Sequence, residues 1–237
     1  TCYGRATWPT ASHDIAAANA VFERAVEPHK AWREQVHRML AGTLGLLILT
    51  LALVAARKRP QGIASIAAGA ALVAISIPLY IGQHYGASAA LVAAGLLVLL
   101  VCAIRWNDSD GARLSTIVLM VVVLQAMLGM WTVTWLLKPI VVTGHLLGGM
   151  TTFALLTWLA FASTPDRALV NAFAPKLRRL LWIGLVLLVV QIALGGWTSS
   201  NYAALACGDF FPKCLGEWWP AHDFREGHHG AIDFQRA

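Results

Sequence analysis

Charge is what this sequence has least of. Only 13% of its 237 residues are Asp, Glu, Lys or Arg, while 58% are hydrophobic. With a mean hydropathy of +0.63, that composition excludes an ordinary soluble globular domain. Runs alternating polar and apolar residues are missing too, which excludes spanning β-strands and leaves a bundle of helices. Cysteine is sparse, at four residues, with no second pair to complete a tetrahedral metal site. What remains is long apolar runs. Six reach the roughly 20 residues that a membrane crossing needs: 36 to 56, 63 to 81, 88 to 105, 114 to 136, 139 to 162 and 177 to 199. The fold class is therefore all-α, a polytopic transmembrane helical bundle.

The net charge of +6 would suit a nucleic-acid partner if it were spread over one surface. It is not. The loops 57 to 62, 105 to 113 and 163 to 179 hold Arg57, Lys58, Arg59, Arg105, Arg113, Arg167, Lys176, Arg178 and Arg179 against only Asp108, Asp110 and Asp166. These loops carry the whole excess, so the charge reports topology and no nucleic acid is implied. By the positive-inside rule they are cytoplasmic, and residues 1–35 and 200–237 lie on the outer side. Cys2, Cys207 and Cys214 then fall outside, in an oxidising compartment if the membrane is bacterial, and Cys102 lies within a span. Cys207 and Cys214 close a short loop, and compartment and spacing point to a disulfide, with a metal pair as the alternative. The chain begins without Met in a polar loop and stops at "AIDFQRA" with no hydrophobic end or signal peptide in view. It is expected to be part of a longer protein.

Residues 12 to 27 read as a surface helix, with Ser12 as N-cap and Ile15, Phe22 and Val26 on one face. Two internal echoes say more. "QAMLGMWT" (125 to 132) and "QIALGGWT" (191 to 198) share Q-x-x-L-G-x-W-T, each near the outward end of a span. Interface tryptophans and close-packing glycines could produce such a match separately, but the shared polarity favours a repeated element. "CYGRATWP" (2 to 9) and "CLGEWWP" (214 to 220) repeat a cysteine, glycine, Trp-Pro loop. Two similar halves follow, 1–162 and the start of a second at 163–237.

Ionisable groups in hydrocarbon are costly and mark function. Of eight histidines, only His37 and His145 fall within spans, both near outer ends. Ala41 and Gly45 share the helical face of His37, and Gly148, Gly149 and Thr152 that of His145. Small residues beside an imidazole leave a slot that a flat porphyrin can enter, with His as axial ligand to its iron. The structural alternative is small-xxx-small packing with hydrogen-bonded interhelical histidines. Glu34, one turn before His37, is either a favourable charge near a helix N-terminus or a carboxylate that relays protons or stabilises developing positive charge. Arg38 suits a haem propionate or the lipid interface, and Trp131 and Lys138 read as interface anchors.

"EQVHRMLAGTLGLLIL", "LGMWTVTWLLKPIVVTGHLLGG" and "LQIALGGWTSSNYAALACGDFFPKCLGEWWP" together resemble the bacterial and mitochondrial haem A synthase family. The matching motifs occur in family order and cover most of residues 1 to 62 and 114 to 225. The resemblance implies a pseudo-symmetric pair of four-helix bundles in the bacterial inner membrane. The activity it implies is oxidation of a methyl group of haem O to the formyl group of haem A, for cytochrome oxidase assembly. It makes Glu34, His37 and His145 catalytic candidates, with His37 and His145 as haem-iron ligands. The N-terminal half would hold haem O and the C-terminal half haem b. Cys207 and Cys214 match the family's outer cysteine pair, and Cys2 the second cysteine of the first. Implied partners are haem O, the bilayer, an electron donor the sequence does not identify, and haem O synthase or oxidase assembly factors.

Three departures qualify the resemblance. The family's first span is absent, the later spans with the second histidine pair are absent, and residues 63 to 105 form an added apolar hairpin. The hairpin preserves downstream orientation and leaves its role open, accessory lipid-facing helices being one reading, and the piece alone is expected to be inactive. Two other readings stand beside the enzyme: a membrane cytochrome b, and an assembly or thiol-handling protein whose outer cysteines act while the histidines only pack.

Overall fold

The computed structural model describes residues 10–21, 26–107, 111–135, 138–163, 175–201, 203, 213 and 217–218. Those residues form seven helices: α1 (Ser12–Val21), α2 (Pro28–Ala56), α3 (Gly62–Ile81), α4 (Tyr85–Arg105), α5 (Ala112–Thr134), α6 (Pro139–Ala162) and α7 (Pro175–Ser200). Six of them are long and apolar enough to cross a membrane, and the chain is a multi-pass membrane protein. Cys2, Cys207 and Cys214, with the expected disulfide, lie outside the described residues; Cys102 is a buried free thiol.

The ends of the helices follow local chemistry more closely than hydropathy does. α2 starts at Pro28, whose fixed φ suits the first turn and whose missing N–H costs nothing there. Its 29 residues run about 43 Å, against roughly 30 Å of hydrocarbon, so the first two turns or so project beyond the apolar layer. Glu34, His37 and Arg38 consequently sit well inside a helix, where hydropathy alone placed them at its mouth. α1 is shorter than expected, and Ser12 is its first helical residue, the turn being closed by the Ala11 carbonyl accepting from Asp14 and Ile15. The Asn19 side chain accepts the Val26 N–H at 2.7 Å, folding the chain back towards α2. Phe22 lies outside the described residues.

α2, α3, α4 and α5 pack in a closed ring, each on the next and α5 back on α2. Ile48, Ala52, Ala56, Ile66, Leu99, Val118 and Leu119 fill its centre. The α3–α4 hairpin exposes an apolar outer face, Ile75, Ile77, Leu97 and Ile104 among it, and is also part of the core: it supplies Ile66 and Leu99, both fully buried. Its two helices approach very closely at two glycines, where a Cβ on Gly95 would stand 2.8 Å from the Gly69 carbonyl oxygen. The Ser88 hydroxyl donates to the Ser76 carbonyl at 2.9 Å in the same seam. Close small-residue contact of this kind holds helices together where lipid removes the hydrophobic drive between them. At the basic-loop end, the Arg59 guanidinium donates to the Asn107 carbonyl at 2.7 Å and ties two loops.

Outside the ring, α6 lies on α5 and α7 lies on α6. Large apolar side chains point outwards all around, among them Leu40, Phe153, Trp158 and most of α7, as expected of surfaces that face acyl chains.

Candidate functional site

The site is built where α2 and α6 begin and α5 ends. On α2, Glu34 and Arg38 are one turn apart and form an ion pair. A carboxylate placed N-terminal to its cation is the favourable order on a helix, though both side chains are over a third exposed and the pair contributes at most a few tenths of a kcal/mol. Arg38 thus orients the Glu34 carboxylate. His37, on the Glu34 face, is exposed.

His145 is held differently. It is the seventh residue of α6, which starts at Pro139, and its ring lies against α5. A Cβ on Gly129 would stand 3.1 Å from His145 Cε1, 3.6 Å from Nε2 and 3.7 Å from Nδ1, so the missing side chain is the space the imidazole uses. One turn earlier on α5, the Gln125 amide lies flat on Gly148 of α6, whose Cβ would fall 1.7 Å from Nε2 of that amide. Two reciprocal contacts, His over Gly and Gln over Gly, therefore lock one turn of each helix. His145 Nδ1 is buried without a hydrogen-bond partner among the described residues. The Gln125 backbone interacts with the ring but does not reach hydrogen-bond geometry.

α2 and α6 share α5 as their common neighbour, and across it the two imidazoles meet. The ring centroids of His37 and His145 are 6.4 Å apart with their planes at 86°. The pair expected from sequence is brought together. The slot expected beside it is only partly present. Gly148 is occupied by Gln125, and Thr152 is buried with its hydroxyl donating to the Gly148 carbonyl at 3.0 Å. A Cβ on Gly45 would meet Val122 at 3.7 Å, whereas Gly149 has nothing within 4 Å of a built Cβ among the described residues, and Ala41 is exposed. At α5's last turn, Trp131 and Trp135 stack at 5.1 Å with planes 2° apart, and the Lys138 ammonium lies 5.6 Å from the Trp135 ring centre. This is an aromatic-cationic group of the kind that sits at a membrane interface.

Gln125 and Gly129 are the residues that reading by chemical type passed over. Their signal was the repeated Q-x-x-L-G-x-W-T. In the second copy the contact shifts by one residue: a Cβ on Gly196 would meet Leu146 at 3.0 Å and the Thr143 hydroxyl at 3.4 Å, while Gly195 has nothing within 4 Å and Gln191 is exposed.

Fold and site together define a multi-pass helical membrane protein with a facing pair of intramembrane imidazoles. The family described as cytochrome oxidase assembly protein matches residues 1–236, and the chain belongs to it. It is 34% identical over 241 aligned residues to the Heme A synthase of Shewanella oneidensis, a match covering 98% of this chain and 58% of that relative. The chain thus spans a little over half the length of the relative. No solved structure matches it.

Proposed function

We propose that this chain is the haem O-binding half of a haem A synthase, oxidising a methyl substituent of haem O to the formyl group of haem A. The observation that carries this reading is the separation of His37 and His145. An iron lies about 2 Å from a ligating imidazole nitrogen, itself about 1.1 Å from the ring centre, so two rings facing through one iron have centroids roughly 6 Å apart. The observed 6.4 Å fits that arrangement. Among the described residues no group of three or more His, Cys, Asp or Glu converges. The pair therefore suits a metal whose remaining ligands come from a macrocycle.

Bound haem would supply the redox iron and the methyl group to be oxidised. The chain's own residues bind and orient it. His145, seated on α5, and His37, exposed on α2, would hold it. Glu34 holds a carboxylate on the His37 face, placed to accept a proton or stabilise positive charge developing at the macrocycle edge. Arg38 steadies that carboxylate and remains partly exposed, in reach of a propionate. The open backbone at Gly149 and the exposed Ala41, each one turn from its histidine, would give the flat ring its room. The likeness to the Shewanella Heme A synthase supports a haem substrate; haem O in this half, and haem b in a second half begun by α7, follow from the resemblance of the motifs. The basic loops support an orientation with residues 1–35 and 200–237 outside, and the family resemblance a bacterial cell membrane.

The test is chemical. The full-length protein is expressed with a source of haem O, and extracted haems are analysed by mass. Hydroxylated or formyl product is expected. Bound but unaltered haem would favour a cytochrome b, and absence of haem would remove the reading altogether.

A further inference from the structure

The repeated motif acquires a role at its first copy. Gly129 is the one residue of α5 whose missing side chain leaves room for the His145 ring, with three ring atoms within 3.7 Å of where a Cβ would lie. Gln125, one turn away on the same face, is clasped to Gly148, itself three residues beyond His145 on α6. The first contact presses the imidazole against α5, and the second holds α5 to α6 one turn to one side of it. In metal sites the groups behind a histidine ligand set its plane and tautomer, and losing them typically weakens binding by about 10- to 100-fold.

We propose that Gln125 and Gly129 are positioning residues for His145, the glycine giving the imidazole its seat and the glutamine locking α5 to α6 so that the seat stays in register. The proposal rests on the reading that His145 ligates haem iron. It gives a role to a glutamine and a glycine that stand one turn apart near the outer end of a membrane helix.

The test is a double-mutant cycle on the full-length, haem-loaded protein, read by haem release to an acceptor protein and by the visible and electron paramagnetic resonance spectra. In a helix, Gly→Ala ordinarily favours folding. Gly86→Ala, where nothing lies within 4 Å among the described residues, should leave release and spectra unchanged. Gly129→Ala puts its methyl against Cε1 at a separation the ring must yield to, and should speed haem release by roughly tenfold and alter the axial-ligand signature. Gln125→Ala should act in the same direction. In a His145→Ala background both effects should vanish, because there is no ring left to position. An undiminished effect in that background, or no effect of Gly129→Ala on either readout, overturns the positioning role. A His145→Ala protein with unaltered haem release and spectra overturns the ligation reading instead, and the positioning role with it; the thermal midpoints of the same four proteins would then still report whether Gly129 and His145 are coupled.

Discussion

Glu34 and His37 share one face of α2, yet the structure gives them different company. The carboxylate is paired with Arg38 on its own helix, and the imidazole faces His145 from another. That difference separates stability from chemistry. Glu34→Gln removes only an exposed, same-helix ion pair, so its cost to stability should stay within about 0.5 kcal/mol. If the carboxylate works on the substrate, conversion of haem O should fall by roughly 100-fold. Thermal unfolding and product mass measured on one preparation check both, and parallel losses would mean that Glu34 is merely structural. The i, i+3 relation of these residues was legible from the sequence because it needs only one helix. The seat of His145 was not: Gln125 and Gly129 acquire meaning only once α6 is laid on α5. Gly148 was misassigned for the same reason. A small residue on the histidine's face reads as open space until a side chain from elsewhere fills it.

At the scale of helices, hydropathy located all six spans but not their ends. The first was expected from residue 36, whereas α2 starts at Pro28, because helicity continues through Trp32, Arg33 and Glu34 irrespective of polarity. Proline at the first turn was the better sign. The α3–α4 hairpin shows another limit. Its small residues were visible, but whether a run of Ala and Gly faces lipid or another backbone depends on the partner. The structure gives it a backbone, and that gives a prediction. Gly95→Ala places a methyl 2.8 Å from the Gly69 carbonyl oxygen, an atom that can move only with its helix. A loss of about 1–3 kcal/mol is expected, measured by thermal or denaturant unfolding in detergent. Gly184→Ala on α7 has nothing within 4 Å among the described residues and should cost nothing. Equal midpoints for the two variants would contradict the seam.

For the whole molecule, membrane class, number of spans and family were all legible, since they rest on composition and on motifs that survive without coordinates. The closed ring of α2 to α5 was not, because ring closure depends on which faces meet. Orientation is the property most open to a direct check. With the basic loops inside, Lys58→Cys, in the turn between α2 and α3, should react with an impermeant thiol reagent only from the cytoplasmic face. Gln83→Cys, in the turn between α3 and α4, should react only from the other. The reverse pattern would invert the topology and put the histidine pair at the cytoplasmic end. A ring closed by α2 and α5, and α6 carried on the outside of α5, bring two imidazoles from parallel helices to 6.4 Å between ring centres. The measurement that tests this most directly is the absorption spectrum and haem content of the purified full-length protein and of its His37→Ala and His145→Ala variants. Loss or displacement of the Soret band in each variant, with haem content falling furthest when both are replaced, is predicted. Haem content and spectra identical to the parent in both single variants would contradict a haem held between His37 and His145.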